Sequence, residues 1–250
     1  PAIMFDKSYG GNSAQNAHET PNGGYIFTGA HTLKNIVKTD AFGDTLWAKS
    51  VGFFAEEMNI TDDGGYILTA STPDLLKLSA DGDSLWSKSY TAHSRTVIQA
   101  ADNGYMLGGG VLSPGAFTGD AFFLKTDASG DSVWMTTFGD TAYSESIRRV
   151  IQTADGGYAG TGSGSDDFGS WWYFAKADAT GTIQWTRTYG GIYWDYTTDV
   201  VQTADGGYAI IGFEYNFDEF SGWMKIIKTD ASGQPQWSKL YGQDFQADTY

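Results

Sequence analysis

The sequence predicts an all-β fold in which five repeats of four short antiparallel strands pack as the blades of a β-propeller. Three observations carry this. One phrase recurs five times: an Asp-Gly turn, a tyrosine, a Lys-Thr-Asp strand end, a Gly-Asp turn and a tryptophan. Its tyrosines are Tyr25, Tyr66, Tyr105, Tyr158 and Tyr208, and its tryptophans are Trp47, Trp86, Trp134, Trp185 and Trp237. The tyrosine spacings of 41, 39, 53 and 50 residues match the period of propellers and similar arrays of small sheets. Finally, aromatics make up 16% of the 250 residues, with 33 glycines and only 5 prolines, a composition of strands joined by tight turns.

The fifth copy shows each element most clearly. Its first strand is Thr198 to Thr203, centred on Val200 and Val201. Asp205-Gly206-Gly207 turns the chain, because two glycines admit the positive φ angles that hairpins require. The second strand is Tyr208 to Phe213, and a variable loop follows. The third strand, Trp223 to Thr229, is built around Ile226 and Ile227. In the turn Asp230-Ala231-Ser232-Gly233 the aspartate caps its own backbone and glycine takes the left-handed conformation. The fourth strand carries Gln236, Trp237, Lys239 and Tyr241. Other copies drift as turn chemistry allows: Asn22 opens the first turn, and Asn103 stands in the third where asparagine tolerates positive φ.

A single four-stranded sheet cannot bury two apolar faces, so each sheet must cover the next, with the repeat tryptophans and tyrosines as wedges between them. The repeated lysines Lys38, Lys77, Lys125, Lys176 and Lys228 are read as structural, pairing with a neighbouring blade. As one domain over residues 1–250, the repeats run at about 11–51, 52–90, 91–139, 140–190 and 191–242. Segment 3–10 reads as an extra fourth strand, since Phe5 to Gly10 matches Trp237 to Gly242. Five blades closed by that strand, or a piece of a longer polypeptide with more blades, both fit.

Composition excludes several function classes. Net charge is −15 and the pI is near 4.3, so a phosphate backbone would be repelled, and Arg148-Arg149 is the only adjacent arginine pair. Nucleic acid and anionic membrane surfaces are poor partners. No apolar run is long enough to insert in a membrane as a helix. The absence of cysteine rules out disulfides and thiolate metal sites. Neutral polymers such as glycans, cationic groups and divalent cations remain.

The repeated phrase, typified by Gly24-Tyr25-Ile26 with Lys38-Thr39-Asp40 and Gly43-Asp44-Thr45-Leu46-Trp47, resembles a repeat of secreted bacterial proteins, especially large cell-surface proteins of the Bacteroidota. Such proteins are often cargo of type IX secretion. The resemblance covers Phe5 to Gly242. It implies a propeller fold, a secreted or cell-surface location and a loose association with adhesion and binding. The sorting domain typical of that export route is not in this sequence.

Function is expected where the copies differ. The loops between second and third strands lengthen in the last three copies, to Val111–Asp120, Ser163–Ser170 and Glu214–Gly222. Aromatics interleave with acids there and in the loop entering copy five: Asp166, Asp167, Trp171 and Trp172, then Tyr193, Trp194, Asp195 and Tyr196, then Tyr215, Phe217 and Asp218. A sugar ring needs such a set, a flat apolar face for stacking and acceptors for hydroxyls. The expected ligand is therefore a glycan or a cell-surface protein. The same acids would suit Ca²⁺, a hard cation that wants several oxygens, although no regular calcium loop is present, and no other cofactor is implied. The plain alternative is that the aromatics pack the loops onto the ring and the acids solvate them.

Aligning the first strands places Asn16, Glu57, Thr96, Arg149 and Asp199 on equivalent positions, expected to line a central channel. Glu57 with Asp199 is the best candidate pair for a glycoside hydrolase or lyase, though 30 acidic residues make some pair inevitable. His18, His31 and His93 show no metalloprotease spacing, and no serine elbow is present. The leading expectation is non-catalytic binding. A structural spacer or assembly unit of a larger surface protein or filament is the second, and a carbohydrate-cleaving enzyme the third.

Overall fold

The computed structural model describes residues 14–29, 35–70, 74–112, 119–140, 142–190, 194–216 and 221–242. The extra strand expected over residues 3–10 lies outside them. The described residues form 20 strands, four per repeat, in antiparallel sheets. The chain divides into two compact units, one of Pro1–Tyr105 with Asp127–Asp131 and one of Met106–Thr126 with Ser132–Tyr250.

The first unit holds two four-stranded sheets. One is β1 (Ala14–Glu19), β2 (Tyr25–Gly29), β3 (Ile36–Thr39) and β4 (Thr45–Lys49); the other is β5 (Ala55–Ile60), β6 (Tyr66–Ala70), β7 (Leu75–Leu78) and β8 (Ser84–Lys88). It also holds β9 (His93–Gln99). The core between the two sheets is Ile26, Ile36, Met58, Tyr66 and Leu68, all at most 1% exposed. The second unit holds β10 (Tyr105–Leu112), β11 (Gly119–Thr126) and β12 (Ser132–Phe138). Two further sheets follow in it: β13 (Ser144–Gln152), β14 (Tyr158–Ser165), β15 (Ser170–Ala177) and β16 (Ile183–Gly190), then β17 (Trp194–Gln202), β18 (Tyr208–Asn216), β19 (Ser221–Thr229) and β20 (Pro235–Tyr241). A single parallel bridge, Ser170 to Trp194, joins these two.

The repeated phrase resolves into two devices. In the first, each of the first four repeat tryptophans packs on the tyrosine of the following repeat. Trp47 meets Tyr66, Trp86 meets Tyr105, Trp134 meets Tyr158 and Trp185 meets Tyr208, with ring centroids 5.8–6.1 Å apart. The same indoles lie on the glycine of the next repeat's second turn. At Gly181, for example, φ is +87° and an added Cβ would stand 2.6 Å from Trp134. Only glycine satisfies both the left-handed backbone and the close approach.

The second device explains the lysine. Lys77 Nζ donates to Thr61 Oγ1, Asp63 Oδ1 and the Leu78 carbonyl. Lys176 repeats this with Asp155 and Ala177, and Lys228 with Asp205 and Thr229. These lysines therefore pair with the first turn of their own sheet, not with a neighbour as expected, because the strand bulge beside each aims its ammonium back under the turn. Lys38 is the exception. Its turn carries Asn22 in place of aspartate, and its Nζ reaches Ala80 of the following sheet. Burial alone would raise Asp63, but hydrogen bonds from Lys77, Thr61 and Gly65 outweigh it and hold the carboxyl near pKa 2. In the third turn Asn103 adopts φ +66°, as its tolerance of that region predicts.

Candidate functional site

The described parts of the lengthened connections in the last two repeats include strand. β14 and β15 pair continuously out to Ser165–Ser170, and β18 with β19 out to Asn216–Ser221, so several residues expected on loops sit in pleated register. Alternation then decides which side chains face out. Trp172 is 1% exposed and its Nε1 donates to the Phe213 carbonyl at 3.3 Å. It is a core residue, and the expectation that it contacts a ligand is corrected. Its neighbour Trp171 points to the opposite face of the sheet.

On that face the second unit holds a cavity of about 640 Å³, lined by the end of β12 (Phe138), Gly139, Asp140, Tyr143, Glu145, the β14–β15 turn (Asp166), Trp171, Tyr173, Thr186, Thr188 and Gly190. Its walls are aromatic. Tyr143 meets Trp171 edge-on with centroids 5.0 Å apart, and Phe138 stacks on Tyr173 at 6.3 Å with 17° between planes. Its polar groups are acids and hydroxyls, and no lysine, arginine or histidine lines it. Asp140 and Asp166 cap their own turns: Asp140 Oδ1 accepts from Ala142 N, and Asp166 Oδ1 accepts from Phe168 N and Gly169 N.

Glu145 sits deepest. Its residue is 4% exposed, Oε1 accepts from Asp140 N at 3.3 Å, and Oε2 has no hydrogen-bond partner among the described residues. A Cβ on Gly139 would stand 2.7 Å from Glu145 Oε2 and 3.4 Å from Asp120 Oδ1, so glycine here leaves the two carboxyl groups a shared space. Burial pushes the Glu145 carboxyl up to about 7, against the Asp140 amide that lowers it, and the negative charges of Asp120 and Asp140 push the same way as burial. The Trp171 indole nitrogen is likewise buried and unpartnered among the described residues. Buried polar atoms are hydrogen-bonded as a rule; both of these orphans belong to residues that line the cavity, and the Trp171 nitrogen lies over Gly164, where an added Cβ would stand 2.1 Å away.

The other expected residues divide among several places. Asp166 and Trp171 line the cavity; Asp167 is exposed in the turn beside it. Asp195 is 1% exposed and packs its carboxylate against Gly190, so it backs the cavity rim and does not face solvent as a loop acid would. Trp194 and Tyr196 are 49% and 42% exposed on β17, and Tyr196 stacks on Phe213 with centroids 5.4 Å apart. Cross-strand pairing continues that row from Phe213 to Met224 and Tyr241, all exposed. Tyr215 is half-buried on β18 opposite Trp194. Tyr193, Phe217 and Asp218 lie outside the described residues. Among the described residues no three acids or histidines stand together to hold a metal ion.

Three of the five first-strand positions bond to backbone. Asn16 Nδ2 donates to the Glu56 carbonyl, Glu57 Oε2 accepts from Val97 N, and Asp199 Oδ1 accepts from Val200 N. Thr96 is fully buried, and Arg149 is half-buried on β13. Asn16, Glu57, Arg149 and Asp199 each follow a bulge in the first strand, which turns their side chains toward neighbouring backbone. None lines the cavity.

No family model matches this chain, and no curated protein matches it. Solved structures do. The WD40 β-propeller domain of Doa1 aligns with TM-score 0.54 at 10% identity, over 76% of this chain and 57% of that one. BBS1N, crystallised with ARL6DN, aligns with TM-score 0.55 at 9% identity, over 87% and 64%. A Bacteroides fragilis protein assigned as exported aligns with TM-score 0.54 at 9% identity, over 96% and 73%. The fold is a β-propeller. The chain spans under two thirds of the length of the first two of these structures. No helix of the described residues is long and apolar enough to cross a membrane.

Proposed function

We propose that this propeller is a non-catalytic binding protein of the bacterial cell surface, and that it takes a neutral, hydroxyl-rich ring ligand, a glycan unit, into the cavity of the second unit. The observation that carries the reading is a buried carboxyl oxygen, Glu145 Oε2, without a hydrogen-bond partner among the described residues, in a cavity walled by aromatics. Tyr143, Trp171 and Tyr173 supply faces for stacking. The hydroxyls of Thr186 and Thr188 and the carboxylates of Asp140 and Asp166 supply donors and acceptors for sugar oxygens. An acidic lining disfavours phosphate and carboxylate ligands. The secreted location, and type IX export with it, rest on the resemblance of the repeat to Bacteroidota surface proteins and agree with a fold shared with an exported Bacteroides protein. Screening against a neutral oligosaccharide array tests this: hits that vanish in Trp171→Ala but survive Trp194→Ala support it, and an array without hits sinks it.

An assembly role is the second reading, supported by the exposed row Tyr196, Phe213, Met224 and Tyr241 across the last sheet. Sedimentation of the wild type and Tyr241→Lys separates the two: a self-associating wild type dispersed by the substitution favours assembly.

A further inference from the structure

The protein supplies no donor to the orphan oxygen of Glu145 among the described residues. An ionised Glu145 would need a donor at Oε2, yet the titratable and charged groups that face it are Asp120 from β11, Asp140 after β12, Asp166 from the β14–β15 turn, and Tyr143 and Tyr173. Three of these five carry negative charge, and none is a cation. A neutral Glu145 fits the geometry. Oε1 already accepts from the Asp140 amide, so the acid proton belongs on Oε2, which then becomes a donor in the space beside Gly139.

We propose that Glu145 is a specificity-determining donor: in its neutral form it hydrogen-bonds from Oε2 to an oxygen of the bound sugar, so that capture is coupled to a proton and the ligand is released as the medium turns alkaline. This rests on the glycan reading above. The cavity then presents a buried donor, Glu145 O–H, and selects a ligand with an acceptor oxygen there, such as a ring oxygen. Losing the proton removes that donor and adds a buried negative charge beside the more open Asp120 and Asp140, leaving Oε2 able only to accept.

Burial and these neighbours place the carboxyl near 7, so about 3% of the acid form remains at pH 8.5. If only that form binds, apparent affinity falls about thirtyfold between pH 5.5 and 8.5. The experiment screens gluco-, galacto-, manno- and xylo-oligosaccharides at both pH values. It then measures affinities for the best binder with the wild type and Glu145→Gln, and titrates the Glu145 carboxyl carbon by NMR. Glutamine keeps a donor at the same place at every pH, so the variant should hold the wild type's acid-side affinity at both. A wild type that binds equally at both pH values overturns the inference while leaving the glycan reading intact. So does a Glu145→Gln variant that loses binding at pH 5.5, or a carboxyl titrating near an ordinary 4.3. A screen with no binder at either pH overturns both.

Discussion

Glu145→Gln should stabilise the folded protein in neutral and alkaline medium, by an amount that the structure sets. The carboxyl moves from an ordinary 4.5 to about 7 on folding. The folded state thus holds the proton more tightly than the unfolded chain, and stability conferred by that proton is complete below pH 4.5 and lost as pH rises through 7. At 1.36 kcal/mol per unit, ionising this one group withdraws about 3 kcal/mol from the wild type across that window. Glutamine has nothing to lose there. Urea unfolding of both proteins at pH 4.5, 6, 7 and 8.5 should show the variant's advantage growing by about 2–3 kcal/mol up to pH 7 and then levelling. Because only the difference between variant and wild type is read, titration of the other acids cancels. An advantage that is constant with pH would refute the reasoning, since it would mean Glu145 ionises alike in both states.

Three further outcomes are expected. Gly206→Ala should cost only the left-handed backbone, about 1 kcal/mol, because φ is +82° and nothing lies within 4 Å of the new Cβ. Gly181→Ala adds displacement of Trp134 and should cost about 3–5 kcal/mol, and equal losses in denaturant titrations would contradict the stacking role. Trp172→Ala should lose about 3–5 kcal/mol whereas Trp171→Ala keeps most of its stability, a contrast that thermal melts will show. Asp63 and Asp155 are both held near 2, Asp63 by Lys77, Thr61 and Gly65 against burial and Asp155 chiefly by the Thr153 hydroxyl and Lys176. The stability they add is present above pH 3.8 and lost as pH falls through 2, so the double variant Asp63→Asn Asp155→Asn should flatten the decline of melting temperature between pH 4 and 2.

The repeat was readable because its phrase is written by local physics. Turn aspartates, left-handed glycines and a tryptophan–tyrosine pair must recur wherever the same sheet recurs. The cavity was harder to see. Trp171 and Asp166 stood out as members of an aromatic and acidic cluster, but adjacent residues on a strand face opposite ways, and treating the segment as loop concealed that Trp172 turns inward. Glu145 was legible in principle: it occupies the same repeat position as Asp195, fifty residues on, as Tyr143 does with Tyr193. Two acids and two tyrosines at matched positions in the last two copies were the available signal. That Glu145 is buried with Oε2 left without a partner among the described residues depends on neighbours such as Asp120 on β11, distant in sequence, which no local pattern encodes.

The pairing of each indole with the next repeat's phenol has an optical consequence. At centroid separations of 5.8–6.1 Å, an excited tyrosine hands its energy to the tryptophan before it can emit, so the folded chain should show almost no tyrosine fluorescence from these four sites. Replacing one of these tryptophans by phenylalanine removes the nearest energy acceptor of one tyrosine and should raise its emission. The rise in phenol emission as the chain unfolds then reports when the junctions between consecutive repeats open, an optical record of how the array comes apart.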